Sequence, residues 1–178
     1  MFTFEIFTVF FIGLIFGSFA NVCIARLPKD KTVIFGRSNC PKCKNKISWF
    51  DNIPLISFIL LKGKCRQCNK KISINYFFVE LITGIFFITI FLYSSNYFDF
   101  VLINLILILF LIIFFIDLKH FIIPDILNFS LIFLGLLKNF IPIKNLNFNY
   151  DIEQSIIGGV VGYLTIWIII FLYKKFKN

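Results

Sequence analysis

Four cysteines are spaced so that their thiolates can share one metal ion. They form two C-x2-C pairs, CPKC at residues 40–43 and CRQC at residues 65–68, with 21 residues between the pairs. A two-residue spacing lets both sulfurs of a pair reach the same ion, and four thiolates close the tetrahedral shell of a structural site. The pattern predicts a structural Zn²⁺ site, with these ligands: Cys40, Cys43, Cys65 and Cys68.

Two disulfides are the alternative use of these cysteines, and they require an oxidising compartment. The charge distribution described below places this segment in the cytosol, where thiols stay reduced, and so favours zinc. The flanking basic residues are expected to offset the negative charge of a zinc centre with four thiolate ligands: Lys42, Lys44, Lys64 and Arg66. Cys23 lies inside the first apolar run, and we interpret it as a small apolar residue rather than a ligand.

Two aspartates flank a short polar turn in FFIDLKHFIIPD, residues 114–125. Ionisable residues at membrane depth are functional candidates by default. Asp125 follows Pro124, and both suit the first turn of a helix. Asp117 instead ends an apolar run, where a helix disfavours negative charge. We select Asp117 as the candidate catalytic residue, its alternative being a solvated residue paired with Lys119, and keep Asp125 as a possible supporting residue.

Three further polar residues lie at the ends of apolar runs on the same predicted side as Asp117. Asn21 and Arg26 are at the end of the first run, and Glu80 is at the start of the second. Their position makes them possible supporting residues for chemistry at that boundary. We expect Glu80 to pair with a basic residue of the loop between the two runs.

The composition indicates that a lipid bilayer is the solvent for most of the chain. The 178 residues are 59% hydrophobic and include 27 Phe, which a soluble domain of this size could not hide. A span needs about 17–25 apolar residues. We predict an all-α polytopic membrane protein with a small cytoplasmic zinc-ribbon-like domain and about five transmembrane helices, at 4–25, 77–93, 100–117, 122–137 and 155–173.

The basic residues predict the orientation of these spans. Of the 18 Lys and Arg, 12 lie between Arg26 and Lys71. An outside N-terminus places 16 of them on the cytoplasmic side, in agreement with the positive-inside rule. No basic residue precedes the first apolar run, which argues against a cleaved signal peptide. We predict a first transmembrane helix at 1–25, a cytoplasmic four-cysteine zinc domain at 26–75 and a helical core of four spans at 76–178.

Two pairs of glycines occur at a spacing that favours close packing of membrane helices. Gly13 and Gly17 lie in the first predicted span, and Gly158 and Gly162 lie in the last. Small residues four apart form a smooth strip along one helix face, against which a second helix can pack closely in lipid. We therefore expect each pair to mark a helix–helix contact.

Motifs along almost the whole chain resemble those of the bacterial type IV prepilin leader peptidase/N-methyltransferase family. In order, they are GSFANVCIARLP (17–28), the cysteine-containing loop (40–73), YFFVE (76–80), IDLKHFIIPDIL (116–127) and GGVVGYLTIW (158–167). The third motif has Phe77 where proline is usual. The resemblance implies an enzyme of the bacterial inner membrane. It would cleave the leader from prepilin or type II secretion pseudopilin precursors and then methylate the new N-terminus with S-adenosylmethionine.

By the same resemblance, Asp117 matches the first of two catalytic aspartates. The second belongs to a GxGD motif, which this sequence does not contain. Because acid and base roles need two carboxylates, we expect this chain by itself not to cleave prepilin. The alternative is a shortened, non-catalytic remnant or scaffold. No sequence signature identifies residues that bind the methyl donor.

A membrane-anchored zinc ribbon that binds nucleic acid is a further alternative. Its support is the block of 12 basic residues around the two cysteine pairs. The orientation of the spans and the negative charge of a four-thiolate zinc centre already account for this block. We therefore expect no nucleic-acid partner, and expect the bilayer and a prepilin-like precursor instead.

Overall fold

The computed structural model describes residues 2–94, 96–140 and 152–177. These residues contain no strand beyond two isolated β-bridges, and their 3₁₀ turns are Leu27–Lys29 and Trp49–Asn52. The contacts divide the chain into two compact units, 1–131 and 132–178. The α-helices are α1 (Phe2–Arg26), α2 (Ile56–Leu60), α3 (Asn75–Tyr93), α4 (Tyr97–His120), α5 (Asp125–Phe140) and α6 (Ile152–Lys177).

Three helical segments are long and apolar enough to cross a membrane, and they contain α1, α3 and α4. This confirms the first three predicted spans. The two later predicted spans are helical as well, but the apolar stretches described for α5 and α6 are shorter, at Asp125–Leu137 and Ile156–Thr165. The described residues therefore support three spans by length and composition, and the last two spans stay predictions.

Close packing of α1 against α3 depends on glycine. A Cβ atom built on Gly13 would lie 2.9 Å from the Cα of Gly84, and one built on Gly17 would lie 2.7 Å from the Cα of Glu80. Real Cβ atoms do not approach backbone this closely. The expected packing role of this first glycine pair is confirmed, whereas that of the pair in α6 stays a prediction.

The core of the first unit lies among α1, α3 and α4. Ala20 and Ile116 are fully buried, and Val79 is nearly so. Leu127, at the start of α5, joins the same cluster. The outward faces of these helices carry exposed apolar side chains such as Phe114, which suits contact with lipid tails rather than water. The apolar core thus fixes the helix ends that carry the polar residues discussed below.

The Gly17→Ala substitution is expected to destabilise the first unit. The added methyl group must displace the α3 backbone, and overpacking of this kind costs about 1–3 kcal/mol. We expect a lower midpoint of thermal unfolding in detergent. Gly159→Ala in α6 is the matched control, because a Cβ atom there meets nothing within 4 Å. Equal midpoints for Gly17→Ala and wild type would contradict the packing role of Gly17.

Candidate metal site and active site

The four cysteines of the two C-x2-C pairs come together as predicted. Their sulfur atoms all lie within 4.8 Å of one another, and the Sγ atoms of Cys40 and Cys68 are 3.9 Å apart. A tetrahedral ion with bonds of about 2.3 Å would separate its sulfur ligands by about 3.8 Å. All five cysteines of the chain are free thiols, so neither disulfide of the alternative is formed. The cluster can hold a metal ion.

The two cysteine pairs lie on two separate turns that have the same tight backbone geometry. In the first turn, the N–H of Cys40 donates to the carbonyl of Asn45 (3.0 Å), and the N–H of Lys44 donates to the carbonyl of Cys40 (2.9 Å). Lys44 has a positive φ of 61°. In the second turn, the N–H of Cys65 donates to the carbonyl of Lys70, and the N–H of Asn69 donates to the carbonyl of Cys65. Asn69 also has a positive φ. The repeated geometry aims two pairs of sulfurs at one point.

The thiols of the first pair differ in acidity. Burial raises the pKa of Cys40, but hydrogen bonds from backbone N–H groups and from neighbouring thiols lower this pKa to about 7. The backbone N–H of Asn45 lowers the pKa of Cys43, but burial and the surrounding thiols raise this pKa to about 11. Like charges at one site oppose further ionisation. A divalent cation would offset that repulsion.

Arg66, next to the second pair, does not act as a free counter-charge to the cluster. Its guanidinium donates to both carboxylate oxygens of Asp51, with distances of 2.7 Å and 2.9 Å, and lies 5.4 Å from the ring centre of Phe50. Pairing with Asp51 raises the pKa of Arg66. This is the one ion pair among the described residues. The side chain anchors the second turn to Trp49–Asn52, and its expected contribution to the charge balance of a zinc centre stays a prediction.

Arg26 organises the loop that follows α1. Its guanidinium donates four hydrogen bonds, all to backbone carbonyls. They reach Thr32 (3.1 Å), Phe35 (2.9 Å), Gly36 (3.0 Å) and Arg37 (3.3 Å). A guanidinium has five N–H donors, so most of its capacity is used within this loop. These contacts give Arg26 a positioning function, while its predicted support of catalysis stays a prediction.

Asn21 and Glu80 also make backbone contacts. The Asn21 side-chain amide donates to the carbonyl of Tyr76 (3.0 Å), and the N–H of Leu55 donates to Oε2 of Glu80 (2.9 Å). The polar side chains of Ser18 and Asn21 lie near the Glu80 carboxylate. The expected pairing of Glu80 with a basic residue is therefore wrong within the described part of the chain. Instead, the two residues tie α1, α3 and the cysteine-containing loop together.

A cavity of about 180 Å³ lies between the ends of α1 and α3 and the cysteine-containing loop. We call it the Glu80 cavity; its lining includes polar side chains from all three parts: Ser18, Asn21, Asn39, Asp51, Tyr76 and Glu80. Sequence reasoning did not single out Ser18 or Tyr76. A signal was available, because they belong to the motifs GSFANVCIARLP and YFFVE.

Asp117 and Asp125 are exposed on either side of the turn at 121–124. Asp117 lies in the last turn of α4, where its carbonyl accepts the N–H of Phe121 (2.9 Å); Asp125 is the first residue of α5. No ion pair joins Asp117 to Lys119 among the described residues. Neither aspartate lines the Glu80 cavity.

A second cavity shows which helix ends lie near Asp117. From α1 and the residues just after it come Asn21 and Lys29. The lining also includes Tyr76 at the start of α3, and Lys119 and His120 at the end of α4. The C-terminal end of α4 therefore lies at the same end of the bundle as the cysteine-containing loop. This geometry brings Asp117 and the Glu80 cavity to one end of the helices.

Comparisons with known proteins identify the class of this chain. Residues 11–94 match the family model for the bacterial peptidase A24 N-terminal domain, and residues 104–176 match the model for the type IV leader peptidase family. No solved structure matches the chain. The chain thus matches peptidase family models over most of its length. It combines them with helices long and apolar enough to cross a membrane and a four-cysteine module between the first two of these helices.

Curated relatives give the family more closely. Three proteins named prepilin leader peptidase/N-methyltransferase are similar to this chain. Identity is 42% in Vibrio cholerae serotype O1 (strain ATCC 39315 / El Tor Inaba N16961), 35% in Klebsiella pneumoniae and 35% in Myxococcus xanthus. The matches cover 94%, 93% and 88% of this chain, and 67%, 73% and 45% of the respective relatives. The chain belongs to the type IV leader peptidase family.

Loss of the Arg26 guanidinium is expected to loosen the loop at 27–37. Hydrogen bonds to a charged group contribute about 1.5–3 kcal/mol each, and Arg26→Met removes all four. We expect cleavage of this loop by proteinase K to be about tenfold faster or more, as followed by mass spectrometry. Arg37→Met is the control, because its exposed side chain is replaced while its carbonyl remains. Equal cleavage rates for both variants would show that Arg26 does not hold the loop.

Proposed function

We propose that the protein is a prepilin leader peptidase/N-methyltransferase of the bacterial inner membrane. The observation that carries this proposal is the 42% identity over 176 residues to a relative of that name. Three apolar helices and the family membership agree with a membrane enzyme. Its partners would be the bilayer and precursors of type IV pilins or type II secretion pseudopilins. No feature of the described residues favours the non-catalytic alternative over the peptidase.

We assign the first catalytic carboxylate of the peptidase to Asp117. Its side chain is exposed at the end of α4, close to the expected boundary between lipid and water. In aspartic proteolysis one carboxylate takes a proton from the attacking water, and the other protonates the leaving amine. Asp117 would supply one of these groups, and family resemblance assigns the other to a GxGD motif. Asp125, which is also exposed, stays a possible supporting residue.

Zn²⁺ is the ion we propose for the four-cysteine cluster. The donor set of four thiolates suits zinc, and such a closed shell stabilises a fold instead of taking part in chemistry. The segment around the cluster contains few buried apolar residues, mainly Cys40 and Cys65 themselves. Metal binding would therefore supply much of its folding free energy.

The membrane orientation we propose has the N-terminus outside and the cysteine-containing loop in the cytoplasm. The support is the concentration of basic residues in that loop and in the C-terminal tail. A reducing cytosol would keep the thiols available for zinc. In this orientation the exposed end of α4, with Asp117, faces the cytoplasm.

N-methylation is the second activity of the proposal. The methyl group would pass from the sulfonium of S-adenosylmethionine to the amine that leader cleavage exposes. The sulfonium would become a neutral thioether, and the amine would release a proton. The substrate therefore has to present a free amine, which is available only after the leader peptide has been removed.

Asp117→Asn is expected to abolish leader cleavage without unfolding the protein, because the side chain is exposed. Loss of a general acid or base lowers rates about 10²–10⁴-fold. The protein as its gene encodes it would be produced in cells that lack their own prepilin peptidase, and cleavage would be followed by the mobility of prepilin in gels. Asp30→Asn, in the exposed loop after α1, is the control. A loss of cleavage in Asp125→Asn, with full activity in Asp117→Asn, would overturn the assignment.

Cys40→Ser is expected to remove the bound metal. The wild-type protein should carry equimolar zinc after purification, measured by inductively coupled plasma mass spectrometry, and the variant should carry little. Cys23→Ala is the control, since this buried cysteine of α1 lies outside the cluster. Equal zinc contents in Cys40→Ser and wild type would show that the ion is not held by these sulfurs.

A further inference from the structure

The Glu80 cavity contains one carboxylate that has no cationic partner among the described residues. Of the two acids in its lining, Asp51 is paired with Arg66. Arg26 also lines the cavity, but its guanidinium is bound to four carbonyls. Lys64 is exposed at the rim and makes no ion pair in the described structure. Glu80 is therefore the acid that remains available to a cation entering the cavity.

The carboxylate of Glu80 is held in place by neutral hydrogen-bond donors. The N–H of Leu55 is 2.9 Å from Oε2, and the polar side chains of Ser18 and Asn21 lie near the same carboxylate. Leu55 adopts φ 58° and ψ −49°, which is costly for a residue with a Cβ atom. Donors without charge orient the carboxylate, and they leave it without a cationic partner among the described residues.

Aromatic rings supply part of the cavity wall. Phe58 and Tyr76 both line it. Phe58 is fixed by the ring of Phe77, 5.5 Å away between centroids, and by the tight approach of Gly63, where a Cβ atom would lie 3.0 Å from the Phe58 ring. Aromatic faces attract organic cations, and a partly desolvated site strengthens that attraction. A fixed carboxylate beside two aromatic side chains is a suitable environment for a sulfonium or ammonium group.

We propose that the Glu80 cavity binds an organic cation, with the carboxylate of Glu80 facing its positive charge. The choice of ligand rests on the proposed function, which offers two such groups: the sulfonium of the methyl donor and the free ammonium of the cleaved substrate. A purely structural role for Glu80, tying Leu55 to α3, is the competing explanation. The two explanations differ in whether the charge of Glu80 affects ligand affinity.

The test compares cationic ligands with neutral counterparts on the detergent-purified protein. Equilibrium dialysis would measure S-adenosylmethionine against S-adenosylhomocysteine, and a peptide with N-terminal phenylalanine against its N-acetylated form. We expect Glu80→Gln to raise the dissociation constant of one cationic ligand about tenfold, equivalent to about 1.4 kcal/mol, and to leave its neutral counterpart nearly unchanged. The affected pair identifies which cation the cavity takes. Glu5→Gln, exposed in the first turn of α1, is the charge-matched control.

Glu80→Gln keeps an oxygen that can accept the N–H of Leu55, so the fold is expected to persist, and an unchanged zinc content would verify this. Val22→Phe is a second variant, which adds bulk to the cavity wall and leaves Glu80 intact. This variant should weaken the binding of the cationic ligand and of its neutral counterpart to the same extent. Equal affinity of Glu80→Gln and wild type for both cationic ligands, or no binding of either to wild type, would overturn the inference.

Failure of this inference can be told apart from failure of the proposed function. Cleavage of prepilin together with charge-independent binding would leave the peptidase standing and remove the cation site. Charge-dependent binding without cleavage would support the cation site and contradict the assignment as a peptidase. Binding is measured on the purified protein and cleavage in the cells that produce it, so each result is obtained independently of the other.

Discussion

The close approach of α1 to α3 is the constraint on which the polar end of this molecule depends. At Gly17 the two backbones leave no room for a Cβ atom. One helical turn further along α1, Asn21 comes within hydrogen-bonding distance of the Tyr76 carbonyl. The same contact allows Ser18 to reach Glu80. The position of the carboxylate thus follows from an apolar packing contact, because a wider separation of the helices would leave these short side chains without partners.

The cysteine-containing loop has little apolar core, so its position has to be set by polar contacts and metal binding. Arg26 fixes the segment leaving α1, and Glu80 holds Leu55 from the side of α3. The Arg66–Asp51 pair joins the second cysteine turn to the segment between the two turns. The first two contacts join the loop to the helices on either side of it, and the third joins two parts of the loop that are 15 residues apart. The cysteine cluster then closes the loop internally. A bound ion would therefore stabilise the cavity wall as well as the cluster.

Local patterns predicted the parts of the structure that depend on spacing. The cysteine cluster follows from the C-x2-C spacing, the first three helices follow from the length of the apolar runs, and the Gly13–Gly17 contact follows from a spacing of four residues. The partner of Glu80 could not be predicted in this way. Leu55 is 25 residues away and contributes a backbone N–H, for which side-chain identity gives no signal. The partners of Arg26 were missed for the same reason, since any residue supplies a carbonyl.

The two proposed activities require carboxylates in different environments, and the structure contains one of each. An aspartate that exchanges protons with water during proteolysis has to be accessible, as Asp117 is. A carboxylate that recognises a cation has to be held in a fixed position, as Glu80 is by the N–H of Leu55. The second cavity links the two regions, because it shares Asn21 and Tyr76 with the Glu80 cavity and extends to the end of α4. On the two proposals, an amine released near Asp117 would lie at the same end of the helices as the cation site.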